Sequence, residues 1–135
     1  MKTLSVVVSV WNEEGKIARC LITVILANEI VVVDNSSTDA TVKIAQKFTS
    51  KIFHRPNYSR LNINKNFGFE KASSDWILSL DGDEEITPAL ASEIQKVINY
   101  QREINGYWLP RKNIIFGKWI RHGLWWPDKQ LRLFK

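Results

Sequence analysis

Three short apolar runs, each stopping abruptly at a cluster of acids and amides, limit what this chain can fold into. Leu4-Ser5-Val6-Val7-Val8-Ser9-Val10 stops at Trp11-Asn12-Glu13-Glu14. Ile30-Val31-Val32-Val33 stops at Asp34-Asn35-Ser36-Ser37-Thr38-Asp39. Asp75-Trp76-Ile77-Leu78-Ser79-Leu80 stops at Asp81-Gly82-Asp83-Glu84-Glu85. Runs this short and this β-branched read as strands. Continuous rather than alternating apolar character is that of parallel strands covered on both faces.

The segments between the runs carry helical periodicity. Ile17, Leu21, Val24 and Ile25 recur at helical spacing, with Asn12 suited to cap the helix and Glu13 and Glu14 to its positive end. Val42, Ile44, Ala45 and Phe48 form a second apolar stripe, with Lys43 and Lys47 facing outward. Residues 51–54 read as a further short strand, and 62–72 as a helix in which Gly68 is an unfavourable residue. Thr87 with Pro88 marks a helix start, and Leu90, Ile94, Val97 and Ile98 continue it. The expected fold class is therefore α/β, a mostly parallel central sheet flanked by helices. Ligands of such sheets bind beyond the carboxyl ends of the strands. The three polar clusters should thus share one edge.

The chain has 135 residues, enough for one domain with a core. Its net charge of +5 is unevenly distributed. Residues 1–100 hold 11 basic and 12 acidic side chains, whereas residues 101–135 hold 8 and 2. Four of the six tryptophans, Trp108, Trp119, Trp125 and Trp126, also lie in that last stretch. The tail has a composition suited to an anionic membrane surface or to stacking on sugar rings, or to ordinary core and solvated surface. Gln130 to Lys135 alternates as a strand with one wet face. No apolar run approaches the roughly 18 residues of a membrane span. Asn12, Glu13 and Glu14 interrupt what would otherwise resemble a leader. A single cysteine, Cys20, excludes an internal disulfide and fits a reducing compartment. His54 and His122 have no spaced partners that suggest a metal or triad set. Neither a P-loop nor a G-x-G-x-x-G motif is present, and no nucleic-acid-binding signature, so nucleic acid is not an expected partner.

Asp81-Gly82-Asp83 has two readings. Hard Mg²⁺ or Mn²⁺ ions favour one or two carboxylates together with substrate phosphates. A solvated acidic turn needs no ion, and Glu84 and Glu85 then favour the start of the next helix. Placement directly after a buried strand favours the first reading for Asp81 and Asp83, and the second for Glu84 and Glu85. Asp34 at a strand end can accept from a ribose hydroxyl or a base N–H, and Ser36 can donate; the same residues also suit a capped loop. Lys65 offers a cation within Asn64-Lys65-Asn66-Phe67-Gly68, or lies on a solvated helix face.

In their order and spacing, Val6-Val7-Val8 with Asn12-Glu13-Glu14, Val33-Asp34-Asn35-Ser36-Ser37-Thr38-Asp39, Asn66-Phe67-Gly68 and Leu80-Asp81-Gly82-Asp83-Glu84 resemble family 2 glycosyltransferases. Trp126 to Phe134 resembles the branch acting on lipopolysaccharide core and related bacterial glycans. The resemblance implies a GT-A nucleotide-sugar-binding fold. Residues 1–100 would form the nucleotide-sugar part and 101–135 the start of an acceptor side. It implies inverting transfer of a sugar from a nucleotide donor, UDP-linked, to a hydroxyl of a glycan or lipid-linked acceptor. Asp34 would contact the nucleoside, with Asn12, Glu13 and Ser36 lining its pocket, and Lys65 would stand near the phosphates. Asp81 and Asp83 would fill the DxD role, holding Mn²⁺ or Mg²⁺, with Asp83 the more direct ligand. The implied location is cytoplasmic, peripheral at the inner face of the membrane. The sequence departs from the family by placing Ser9 and Val10 before Trp11, and by ending at Lys135 before any residue marked as the catalytic base. The resemblance therefore also admits a truncated fragment that binds nucleotide without transferring sugar.

Overall fold

The computed structural model describes residues 1–100, 103–115, 117–121 and 128–135, with only the backbone of Ile115. His122, Trp125 and Trp126, and with them the first part of the Trp126–Phe134 motif, lie outside the described residues.

The strands are β1 (Leu4–Val10), β2 (Glu29–Asp34), β3 (Ile52–His54), β4 (Trp76–Asp81), β5 (Gly106–Arg111), β6 (Ile114–Ile115), β7 (Lys118–Trp119) and β8 (Asp128–Phe134). The helices are α1 (Ile17–Ile22), α2 (Thr41–Ala45), α3 (Leu61–Lys71) and α4 (Pro88–Asn99). Among the described residues one sheet runs β3-β2-β1-β4-β8-β5, and β6 and β7 form a separate hairpin. The first four strands of that order are mutually parallel, as the apolar runs imply. The last two are antiparallel to their neighbours. β8 therefore covers what would otherwise be the exposed edge of β4.

Alternate residues of β1 feed two cores. Val6, Val8 and Val10 pack with Val32, Leu78 and Leu80 against Ile17, Cys20 and Leu21 of α1, Ala45 of α2, and Ile94 and Ile98 of α4. Val7, Val31 and Val33 pack on the opposite face, against Phe67 and Phe69 of α3. Gly68 is what allows α3 to lie this close. A Cβ there would meet Val7 Cγ1 at 2.6 Å and Val33 Cγ2 at 2.8 Å.

Three local expectations are corrected. Asn12 does not cap α1. The helix starts beyond Lys16 with no side-chain cap, while Asn12 sits at φ 48°, where its short polar side chain tolerates a left-handed turn. α1 also ends early, because Thr23 Oγ1 donates to Cys20 O at 2.7 Å, leaving Val24 buried and Ile25 exposed. The alternation of residues 130–135 is broken by a bulge in the β5–β8 pairing, between Tyr107 and Trp108, and Arg132 and Leu133 are both buried. The start of α4 is as the sequence implies, with Leu90 N donating to Thr87 Oγ1 at 3.2 Å and Pro88 in the first turn. No helix among the described residues is long and apolar enough to cross a membrane.

Candidate active site

The sheet register brings the three polar clusters to one edge. Val10 stands opposite Asp34, and Ser9 opposite Asp81. Backbone bonds then fasten the loops to each other: Asn35 N donates to Val10 O at 2.9 Å, and Gly82 N to Ser9 O at 3.1 Å. Gly82 is buried, and a Cβ there would meet Val10 Cγ1 at 2.7 Å and Glu13 Cγ at 3.4 Å. The acidic turn therefore lies directly on the end of β1, an approach only glycine permits.

On the β2 side, Asp34 is 2% exposed. Its carboxylate accepts from Ser37 N at 3.2 Å and lies 3.3 Å from Nδ1 of the exposed His54. Ser36 adopts φ 65° and, though exposed, donates from Oγ to Arg55 O at 2.8 Å, so its hydroxyl helps to hold the loop. Asn12 accepts from Thr38 N at 2.8 Å through Oδ1, and its own N–H donates to Ser37 Oγ at 2.9 Å. Glu13 N donates to Thr41 Oγ1 at 2.8 Å. A buried amide pair, Asn64 Nδ2 to Asn35 Oδ1, ties α3 to the same loop. Asn12, Ser36 and Asn64 therefore act as loop architecture around Asp34.

On the β4 side a charged cluster closes the turn. Lys65 Nζ lies 2.7 Å from Asp81 Oδ1, and Arg132 Nη2 lies 3.3 Å from Asp81 Oδ2. Arg132 also reaches Glu84 Oε1 at 3.2 Å and donates to Ser79 O at 3.4 Å. Glu84 folds back so that Oε1 accepts from Asp81 N at 2.7 Å, while Glu84 N donates to Asp81 O at 3.0 Å. This corrects the expectation that Glu84 serves the next helix's dipole: it closes the acidic turn, and α4 starts later, at Pro88. Burial pushes the Asp81 carboxyl up, but the Lys65 ammonium and Arg132 guanidinium together hold it below the usual range. Burial likewise raises Glu84, with Arg132 only partly opposing it. Burial raises Glu13 as well, and the Asp83 charge adds to the effect. Beneath the turn, burial pushes the Cys20 thiol up to about 12, so this cysteine is a packing residue.

Among the described residues no three acidic, histidine or cysteine side chains are grouped closely enough to hold a metal ion alone. The donor set nevertheless fits a hard dication that takes the rest of its ligands from phosphate and water. Asp83 is exposed at the tip of the turn, and its charge is felt at Glu13. Asp81, by contrast, has both oxygens engaged by cations. Sequence reasoning missed two participants. Arg132 lies in the basic, alternating stretch 130–135, and its partners Asp81 and Glu84 are 51 and 48 positions away in sequence. His54 has no sequence-spaced partner, yet it ends a strand parallel to β2 directly opposite Asp34.

A family model described as glycosyl transferase family 2 matches residues 5–135, nearly the whole chain. The chain belongs to this family. A Rickettsia typhi protein named as an uncharacterized glycosyltransferase is 37% identical over 98 residues, which is 72% of this chain and 33% of that protein. The lipopolysaccharide core biosynthesis glycosyltransferase LpsC of Rhizobium meliloti is 27% identical over 119 residues, covering 84% of this chain and 44% of its own length. This family 2 chain thus spans about a third to less than half of these relatives. Among solved structures, Staphylococcus aureus TarS residues 1–349 align over 98% of this chain and 47% of theirs, with TM-score 0.63 and 20% identity. Glucosyl-3-phosphoglycerate synthase of Mycobacterium tuberculosis, in complex with Mn²⁺, UDP and glucosyl-3-phosphoglycerate, aligns over 78% of this chain and 42% of its own, with TM-score 0.65 and 19% identity. At those identities the likeness is one of fold, the GT-A arrangement expected of this family.

Proposed function

We propose that this chain is the donor-binding part of an inverting glycosyltransferase that takes a UDP-linked sugar and transfers it to a hydroxyl of a bacterial glycan or lipid-linked acceptor, such as lipopolysaccharide core. The observation that carries this reading is the register that sets Asp34 and the Asp81–Asp83 turn on either side of β1 at one sheet edge. Asp34 and its loop receive the nucleoside, with Asn12, Glu13 and Ser36 shaping the rim. Lys65 stands beside the phosphates. Asp81 and Asp83 form the metal side, with Asp83 projecting. A Mn²⁺ or Mg²⁺ ion bound there supplies neutralisation of the charge that develops on the departing diphosphate. That a solved neighbour binds both Mn²⁺ and UDP supports this assignment, as does the LpsC relative for the acceptor class.

In this reading residues 1–100 are the nucleotide-sugar part and 101–135 begin the acceptor side. The exposed Lys112, Lys118, Arg121 and Lys129, with Trp108 65% exposed, suit contact with an anionic membrane at the cytoplasmic face. Calorimetry with UDP, with and without Mn²⁺, tests the donor site. Metal-dependent binding that disappears in Asp83→Ala is expected, and binding of UDP indifferent to both would overturn it.

A second reading, nucleotide binding without transfer, has its own support. Inverting transfer needs a base near the acceptor hydroxyl. Among the described residues of the acceptor side, Asp128 is the carboxylate of the β5–β8 pair. Asn113, Gln130 and Arg111 donate to it and lower it to about 2, which makes it a poor proton acceptor. Sugar transfer by the 135-residue chain itself would reject this reading.

A further inference from the structure

We propose that Arg132 is a positioning residue for the metal side of the site: it clamps Asp81 and Glu84 into a closed turn, so that of the two aspartates of the turn Asp83 is the one that projects toward the ion. The proposal rests on the donor-site reading above and deepens it.

Arg132 is 8% exposed and comes from β8, the antiparallel neighbour of β4. A buried guanidinium must place its N–H groups on acceptors, because an unpaired buried charge is costly. Here the acceptors are Ser79 O, Asp81 Oδ2 and both oxygens of Glu84. Two of these belong to the turn itself, and the third lies on the strand that leads into it. Glu84 in turn accepts from Asp81 N, so the guanidinium holds the turn at both of its ends.

The charges divide the acids into two groups. Asp81 and Glu84 are matched by Lys65 and Arg132, giving a neutral set of four. Asp83 stands outside this set, exposed, with Glu13 as the carboxyl that senses it. An incoming dication therefore meets uncompensated negative charge at Asp83 rather than at Asp81. Gly82 lets the turn sit directly on the end of β1, where a Cβ would meet Val10 Cγ1 at 2.7 Å. Arg132 touches neither nucleotide nor metal in this scheme. It acts through the two carboxylates, as outer partners of metal ligands do.

The test uses the full chain and four proteins: wild type, Arg132→Gln, Glu84→Gln and the double variant. UDP affinity is measured in Mn²⁺ and in chelator, and Mn²⁺ binding is followed by its electron paramagnetic resonance signal. Thermal melts run alongside. Arg132→Gln is expected to weaken Mn²⁺-dependent UDP binding by about 10-fold or more, the usual scale for loss of an outer partner. Affinity in chelator should stay within about twofold, well under the tenfold step that 1.4 kcal/mol represents. Adding Glu84→Gln to Arg132→Gln should restore part of the loss, because it removes the carboxylate left without its counter-charge. If Arg132→Gln does not fold, Glu84→Gln alone carries the test, since it opens the same clamp from its more exposed side and should broaden or weaken the Mn²⁺ signal.

Unchanged Mn²⁺-dependent affinity with a lower melting temperature would make Arg132 a strand-packing residue and overturn the proposal. Tighter Mn²⁺ binding in Arg132→Gln would also overturn it, by showing that Asp81 is a ligand that the arginine withholds. A wild-type chain with no metal-dependent UDP binding would overturn the donor-site reading itself, and the positioning role with it.

Discussion

His54 Nδ1 lies 3.3 Å from Asp34 Oδ2, across the parallel pairing that sets these two residues side by side at the ends of β3 and β2. A carboxylate only accepts, so the ring donates through Nδ1 and turns Nε2 outward. Asp34 is buried and the histidine is exposed, so in the proposed donor-site reading the histidine is the face of this pair that a nucleoside would meet first. His54→Ala is expected to weaken UDP binding about fivefold, the equivalent of one hydrogen bond of about 1 kcal/mol. Titration calorimetry measures it. Equal affinities for the two proteins would remove His54 from the nucleoside pocket.

Gly82→Ala should disable the metal side more than it harms the fold. The added Cβ meets Val10 Cγ1 at 2.7 Å, and Val10 is a core residue that cannot move aside freely. The turn must shift instead, taking Asp83 with it. Mn²⁺-dependent UDP binding should fall by about 10-fold or more, as for other losses of ligand positioning. A variant that binds Mn²⁺ and UDP normally would show that the turn can be reshaped without consequence.

Gly68→Ala sets two effects against each other. Alanine favours a helix over glycine by about 1 kcal/mol. The new Cβ, however, would press on Val7 and Val33, which are 1% and 0% exposed in the middle of the sheet. Overpacking of this kind costs about 1–3 kcal/mol. The variant should therefore be less stable in urea despite its better helix propensity, and a stabilised variant would mean that α3 can lift off the sheet.

Acid stability should depend on Glu29, at the opposite edge of the sheet from the acidic turn. Its carboxylate accepts from Ser5, from Lys51, from Ser73 N at 2.8 Å and from Ser73 Oγ at 3.0 Å. Burial pushes the carboxyl up, but these donors outweigh it and bring it to about 2, below its ordinary 4.5. A depressed value means that the folded state favours the charged form. The stabilisation is present in full above the unfolded value and is lost as pH falls through the folded one. Urea midpoints of the wild type should drop between about pH 5 and pH 2, whereas Glu29→Gln should start lower at neutral pH and follow a flatter acid limb. Parallel curves would assign the acid transition to other carboxylates.

The parallel half of the fold was legible because its signals are local. Continuous β-branched runs mark buried strands, and Thr87-Pro88 marks a helix start, without reference to anything distant. The convergence of Asp34 and the acidic turn on one edge followed from a rule about such sheets. What the sequence could not show was side-chain pairing across strands. Arg132 looked like part of a wet strand face because its spacing from Leu131 and Leu133 is that of alternation, and only the bulge against β5 and the insertion of β8 beside β4 turn it inward. Asn12 looked like a cap because Asn before a helix usually is one; the left-handed turn it adopts leaves the helix to start elsewhere.

The position of β8 has a kinetic side. Arg132 and Asp81 are 51 positions apart, and β8 lies between β4 and β5 rather than following in line. Such a contact forms only after the intervening stretch of chain has closed. During synthesis the first four strands and their acids emerge before the arginine that balances them. The acid-rich turn should therefore become rigid only once β8 has docked beside β4, and its order would report that docking.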